Sequence, residues 1–533
     1  MARREDRNML ILGIGGWVHD GAAAIMRDGT IVAAIEEDKL SREAHRGGLP
    51  ERAVEACLRL ASAEPGDVDC VSLVRPLGGP QDRTFHIRLR SLLPNARVVV
   101  TDHHDAHAAS AYYASPFESA RVLTLDRQGD MRCGALWNGR GNALEPLEDL
   151  YAPDSPAVVY SRVTELLGFR SGREEHKVQW LSMGGEPTHK DLFQEMMGGV
   201  QARLPTLDHS YFDPSRPSHG AFGDKFYRAI GVAPWDPIPE TMRPDLAASV
   251  HTAVTDAVLR LAGTGENLCL AGGVAMNALI VEALERSGNF REVFVQPAAG
   301  NAGTAVGGVY HAWHRVFKRT ERAPMQDLFL GPAHGSEEIS HVLENCKLNF
   351  RYLLTDAELV GAAVERLADD QILAWFQGRT EFGPRALGNR SILASPLNPY
   401  STENLNVYIK RREKFRKFAA SVPVEALDEY FETSAASRYL ATVSRVKAAH
   451  RRTFGSALLD GKRIRLHVVS REDNRLYWEL LREAGRVTGL PVLYNTSFNL
   501  FGEPLVSDPR AAVRSFYSSG IDALFVGNFL LEK

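Results

Sequence analysis

Short apolar runs separated by polar and glycine turns follow one plan at two places in the chain. Residues 9–37 read MLILGIGGWVHDGAAAIMRDGTIVAAIEE. This pattern predicts a strand, a turn carrying His19 and Asp20, a second strand, a tight turn at Asp28 and Gly29, and a third strand. Residues 121–150 repeat the plan as RVLTLDRQGD, MRCGALWNGR and NALEPLEDL. Each copy is followed by helical sequence, which points to a duplicated domain. Ahead of the second copy runs TDHHDAHAASAYY. As a helix it sets His103 and His107, four apart, on one face. The strand VLTLD then delivers Asp126 at its C-terminal end, where α/β folds bind ligands, followed by Gly129 and Asp130.

Further on, residues 243–263 predict an amphipathic helix. NLCLAGGVAMNALI reads as a buried strand that turns at Gly272–Gly273 and starts a helix near Asn277, and VFVQPAAGNAGTAVGGVYHAW repeats strand, glycine turn and helix, with Asn301 in the turn. Residues 201–243, rich in Pro, Asp, Ser and aromatics, read as a long surface excursion of the kind that carries specificity loops. Periodicity fades over 322–349, so a boundary is expected near Phe350. That gives an α/β chain of two domains, 1–349 and 350–533, the second opening with a helix over 356–369 and the buried strand ILAWF.

Composition narrows the class. A chain of 533 residues is too long for one ordinary core, and its net charge of −4 gives no reason to expect generic nucleic-acid or anionic-membrane binding. The 5 cysteines form no CxxC pair and fit reduced thiols in a cytoplasm. The charged start MARREDRN precedes only a brief, glycine-broken apolar run, so neither a signal peptide nor a membrane span is expected.

Several groups of residues carry candidate chemistry, each with a plainer alternative. His103, His107 and Asp126 suit a first-row divalent metal with open positions, or a capped helix whose histidines face solvent. Lys177 could reach a phosphate or be a solvated charge. Gly272 and Gly273 let backbone approach a ligand at a helix N-terminus, or serve topology alone. QGRTEFGPRALGNRSIL holds Arg379, Arg385 and Arg390; NVYIKRREKFRKFAAS holds Lys410 and Arg416; GKRIRLHVV holds Arg465; and LPVLYNTSFNLFGEPLV holds Asn495, Thr496, Ser497 and Asn499. Cations from separate loops gathered around hydroxyls and amides suit a phosphate ester. A solvated basic face fits KRREKFRK well. It fits FGPRALGNRS poorly, because Pro, Gly and apolar residues there pin the arginines.

The strings HHDAHAASAYY, AGGVAMNA, EFGPRALGNRSIL and YNTSFNLFGEPLV together resemble the NodU/CmcH-type O-carbamoyltransferases, nearly end to end. The resemblance implies a duplicated N-terminal domain of the actin/hexokinase/Hsp70 (ASKHA) superfamily, similar to the tRNA threonylcarbamoyl-transferase, and a YrdC-like C-terminal domain. It implies Fe(2+) or another divalent metal at His103, His107, Asp126 and Asn301, although the family carries an aspartate at this last position. It places His19, with Asp20, at the acceptor hydroxyl; His19 could equally bind phosphate or nucleotide. It places carbamoyl phosphate on Lys410, Arg416, Arg465, Ser497 and Asn495. It places nucleotide near Lys177, Gly129, Gly272, Gly273, Asn277, Arg385 and Arg390, with Mg(2+) accompanying ATP. Departures from the family pattern include Arg127, Gln179, Lys417, Ala419, Ala420 and His467. The implied partners are ATP, carbamoyl phosphate and a small-molecule hydroxyl acceptor of natural-product or antibiotic type, with no nucleic acid and no membrane; a homodimer is expected. The rival readings are a nucleotide-binding regulator that lost turnover and a sugar kinase of the same superfamily. A tRNA-modifying role suits the slightly acidic charge balance less well.

Overall fold

A computed structural model describes residues 9–75, 84–216, 218–234, 236–500 and 502–533. The charged run MARREDRN lies outside them. The chain divides into two compact units, one made of 1–102 with 301–533 and the other of 103–300.

In the first unit the strands β1 (Leu10–Gly15), β2 (Ala22–Arg27), β3 (Thr30–Glu36), β4 (Cys70–Val74) and β5 (Arg97–Thr101) form a sheet of order β3-β2-β1-β4-β5. In the second unit β6 (Ser119–Gly129), β7 (Arg132–Arg140), β8 (Ala143–Tyr151), β9 (Asn267–Ala271) and β10 (Glu292–Val295) form a sheet of order β10-β9-β6-β7-β8. Both sheets have the same topology. The first strand pairs antiparallel with a meander on one side and parallel with later strands on the other. The duplication read from the repeated hydrophobic pattern is therefore present in the fold.

The rest of the first unit is a ten-stranded mixed sheet. Its strands are β11 (Arg351–Tyr352), β12 (Leu373–Phe376), β13 (Arg390–Ala394), β14 (Ala419–Pro423), β15 (Phe431–Glu432), β16 (Val443–Val446), β17 (Arg463–Val469), β18 (Leu493–Ser497), β19 (Ala523–Val526) and β20 (Phe529–Glu532). They run in the order β11-β20-β19-β12-β13-β18-β14-β17-β16-β15.

Local chemistry accounts for many boundaries. Thr355 accepts a hydrogen bond from the Glu358 N–H and starts the helix Asp356–Ala368, and Asn277 accepts from Leu279 and Ile280 to start Ala278–Arg286. Asp28 and Gly29 both take positive φ between β2 and β3, as a two-residue hairpin of this hand requires. The helix Gly303–His311 lies hard against β1, where a Cβ at Gly13 would sit 2.0 Å from the Ala305 carbonyl oxygen.

One expectation needs correction, and one stretch holds an element its sequence did not signal. The 201–243 segment is more than a surface excursion: it carries the helix Asp224–Ile230 and buries Tyr211, Phe222, Phe226 and Tyr227, with the Phe222 and Phe226 rings stacked at 4.0 Å. The aperiodic stretch 322–349 contains a helix, Ser336–Asn345. It buries only Ile339 and Leu343, four apart, and so carries little periodic signal.

Candidate functional site

The helix His103–Tyr112 turns both imidazoles toward β6. Nε2 of His103 and Nε2 of His107 each lie 3.0 Å from the same oxygen, Oδ2 of Asp126. The three ligand atoms lie within 4.8 Å of one another. Oδ1 of Asp126 is held by the Gly273 N–H, and the Asp126 carbonyl accepts from Ser155 Oγ at 2.6 Å. Gly273 thus orients the carboxylate from behind, as supporting groups do around ligands. Burial alone would raise the Asp126 pKa, but His107 and His103 outweigh it and hold the carboxyl well below its ordinary value. Two imidazole nitrogens and a carboxylate oxygen converging on one point fit a first-row divalent ion.

Gly129 completes this arrangement by its missing side chain, since a Cβ there would lie 2.1 Å from Cδ2 of His103. Gly272 takes φ of 93°, and a Cβ on it would meet the Leu125 carbonyl at 2.4 Å. Asn277 spends its side-chain oxygen on capping its helix, and its amide nitrogen lies 3.4 Å from the Tyr160 hydroxyl. Lys177, on the helix Glu175–Leu181, pairs with Glu174 at 2.7 Å and lies over the Phe169 ring.

In the turn after β1, Asp20 sits at φ 60° between two histidines, with His19 Nδ1 at 2.8 Å from Oδ2 and His45 Nδ1 at 2.7 Å from Oδ1. Burial pushes the Asp20 pKa up, but hydrogen bonds from His19 and His45 prevail and leave it below the usual carboxylate range. An ionised carboxylate that fixes an imidazole through Nδ1 leaves Nε2 to take or give a proton. Asn301 belongs to the same unit, and its amide nitrogen lies 3.2 Å from His19 Nε2.

The ten-stranded sheet gathers the basic loops. Ala419 on β14 pairs with Arg465 on β17 and with Asn495 on β18, and Ser391 on β13 pairs with Ser497. Burial first, then Arg416, lowers the Arg385 pKa to about 10. Burial first, then Arg385, Arg412 and Arg416, lowers that of Arg465 well below its ordinary value. Arg412 stacks on Phe418 at 4.4 Å, and burial followed by Arg416 pushes its pKa to about 9, still charged at neutral pH. Each of these guanidiniums therefore feels its neighbours as like charges. Lys410 donates to the carbonyls of Ser497 and Asn499 and to Asn499 Oδ1, so it shapes that turn; burial, then Arg412 and Arg416, lowers its pKa strongly.

Asn495 on β18 lies across β14 from Arg465. Its side-chain nitrogen donates to the Ala386 carbonyl at 3.1 Å and to Ser421 Oγ at 3.2 Å. Its Oδ1 is buried with no hydrogen-bond partner. Arg390 differs from the others. It is fully buried over the Phe376 ring at 3.7 Å, with its guanidinium on the carbonyls of Gln377, Gly378 and Asn389. It ties the loop together, and its Nε is buried with no hydrogen-bond partner.

Family models match both parts of the chain: "Carbamoyltransferase N-terminus" over 10–86 and 88–310, and "Carbamoyltransferase C-terminus" over 364–533. The chain belongs to the carbamoyltransferase family. It is 34% identical to the uncharacterised Synechocystis protein sll1178 over 98% of this chain and 96% of that one. It is 33% identical to nodulation protein NolNO of Sinorhizobium fredii over 97% and 79%, and 32% identical to NolO of Bradyrhizobium diazoefficiens over 81% and 79%. The protein is thus a carbamoyltransferase, and among the described residues no helix is long and apolar enough to cross a membrane.

Three residues of this carbamoyltransferase's sites escaped sequence reasoning. Arg412 lies inside KRREKFRK, where nothing distinguishes one cation from the next. Its aromatic partner Phe418, six positions on, was the available signal. His45 lies in a charged stretch remote from Asp20, and Ser421, which links Asn495 to His467, sits in a plain apolar strand.

Proposed function

We propose that this carbamoyltransferase is ATP-dependent: it converts carbamoyl phosphate and ATP to carbamoyl adenylate, then carbamoylates a hydroxyl of a small-molecule acceptor. One observation carries the reading. Arg385, Arg412 and Arg416 act as like charges on buried Arg465, and across β14 from it Asn495 Oδ1 is buried with no hydrogen-bond partner. Clustered cations and a buried acceptor on neighbouring strands complement a ligand that is anionic at one end and an N–H donor at the other, which is the chemistry of carbamoyl phosphate.

In this reading the arginines bind the phosphate and stabilise its charge as water hydrolyses carbamoyl phosphate to carbamate and inorganic phosphate. The carbamate oxygen then bonds to the α-phosphorus of Mg(2+)-bound ATP and pyrophosphate leaves. In the second half-reaction His19, aligned by Asp20, takes the acceptor hydroxyl's proton as that oxygen bonds to the carbamoyl carbon and AMP departs. His103, His107 and Asp126 would hold a divalent metal such as Fe(2+), which when bound supplies Lewis-acid polarisation of the carbamoyl carbonyl.

The test is purified protein with ATP, with and without carbamoyl phosphate and with no acceptor, scored for pyrophosphate and AMP. Pyrophosphate that depends on carbamoyl phosphate in wild type, and falls at least tenfold in Arg465→Ala, is the expected result. A folded, nucleotide-binding protein that releases none overturns the adenylate mechanism in favour of a binding protein.

A further inference from the structure

The loop that carries Arg385 does not stand on its own sheet alone. Within the same compact unit it is held by the segment that follows β3. Lys39 is buried, and its ammonium donates to the carbonyls of Glu381 at 2.7 Å and Gly383 at 2.8 Å and pairs with Glu36 Oε2 at 2.8 Å. The ammonium is thereby held by two hydrogen bonds and one ion pair. The other Glu36 oxygen, Oε1, accepts the Gly383 N–H at 2.7 Å, where Gly383 takes φ of 104°. Glu381 in turn folds the loop on itself: its Oε1 accepts the N–H groups of Leu387 and Asn389 at 2.9 Å and of Arg390 at 3.0 Å. Arg385 rides between these two anchorages, and the carbonyl of the next residue, Ala386, receives Asn495.

We infer that Glu36 and Lys39 are positioning residues for the anion pocket, acting through Arg385. A surface pair would hold little, but this pair is shielded from solvent and each partner also bonds loop backbone. Removing the lysine leaves Glu36 Oε2 without its counter-charge and two buried carbonyls without this donor, so the loop start shifts. The same segment reaches the other half of the chemistry, because Arg42 donates to the Leu505 carbonyl at 2.7 Å, Ser507 Oγ donates to the Lys39 carbonyl at 2.6 Å, and His45 holds Asp20. A sheet that bears the acid–base histidines thus also sets the guanidinium of the phosphate pocket.

This inference rests on the carbamoyl-phosphate reading, and a binding measurement keeps the two separable. Carbamoyl phosphate is titrated by calorimetry into wild type, Lys39→Met, Arg385→Ala and the double variant, with Lys39→Arg as the conservative rescue. Pyrophosphate release gives KM for each substrate. Wild type is expected to bind, and Lys39→Met to weaken carbamoyl phosphate at least tenfold while KM for ATP stays within twofold. Lys39→Arg, which keeps donors and charge, should recover most of the affinity. If Lys39 acts through Arg385, the double variant is no weaker than Arg385→Ala alone.

Full additivity of the two losses, or equal rises in both KM values, overturns the positioning role. Wild type that fails to bind carbamoyl phosphate overturns the underlying reading instead. Should Lys39→Met not fold, Glu36→Gln, which keeps an acceptor for Gly383 but removes the charge facing Lys39, is run in its place with the same expectations.

Discussion

Gly129→Ala tests the metal site without touching a ligand. Gly129 lies outside the left-handed region, so alanine is compatible with its backbone. The added Cβ, however, would sit 2.1 Å from Cδ2, 2.7 Å from Cγ and 3.0 Å from Nε2 of His103. Carbon–carbon contact is relieved only near ~3.5 Å, so the imidazole must move by about 1.4 Å. Metal–ligand distances tolerate only about 0.2 Å. The shift therefore displaces one of the three groups that converge on the proposed metal position. Even loss of an outer-shell support typically lowers affinity ~10–100-fold, and loss of a ligand should reach at least the upper end, about 2.7 kcal/mol. The assay is competition between the protein and a chromophoric chelator for Co(2+) or Zn(2+), alongside a melting curve. Gly184→Ala is the control, because a Cβ there meets nothing within 4 Å. A Gly129→Ala protein that melts like wild type and binds metal as tightly refutes the assignment of His103 as a ligand.

Two further outcomes follow from buried charge. His467 stacks on Tyr477, hydrogen-bonds Ser421, and is pushed by burial from 6.5 to about 4. The unfolded chain takes up that proton first, so this contribution to stability is complete above about pH 6.5 and is lost as pH falls toward 4, at most about 3 kcal/mol. His467→Gln should flatten the wild-type fall in Tm across that window; an unchanged slope counts against a neutral buried imidazole. Arg390→Met strips the Gln377 and Gly378 carbonyls of this donor and should cost ~3 kcal/mol, read as a drop in Tm of several degrees, whereas a variant as stable as wild type contradicts the strap.

The two meanders were legible because short apolar runs broken by Asp-Gly and acidic turns are a local signal. β1–β3 fall where the turns place them, and the helix Arg243–Ala262 matches its amphipathic run. The HxxxH spacing likewise predicted a shared helical face, which His103 and His107 occupy. What spacing did not carry is who pays attention to whom across the sheet. Arg385 joins Arg412, Arg416 and Arg465 through strand pairings such as Ala419 with Arg465 and Asn495, and those long-range registers leave no trace in any single window. Arg390, five residues from Arg385 in the same string, lies over the Phe376 ring with its guanidinium on loop carbonyls. Adjacency in sequence grouped two arginines that the fold sets in different surroundings.

The repeated topology explains why the chemistry is divided as it is. In each copy the hairpin that leaves the first strand is where backbone departs from regular pairing: after Gly15, which pairs with Ala22, in one sheet, and between Leu125 and Gly129 in the other. Side chains at such a break are released from the alternation that fixes their neighbours in or out of the core. One copy uses the break for His19 and Asp20, the other for Asp126 and the bare Gly129 that admits a histidine ring. In the second sheet the turn after the parallel neighbour β9 supplies the Gly273 N–H that holds Asp126. The repeated topology thus offers two equivalent positions outside regular pairing, one holding the His19–Asp20 pair and the other Asp126 with His103 and His107.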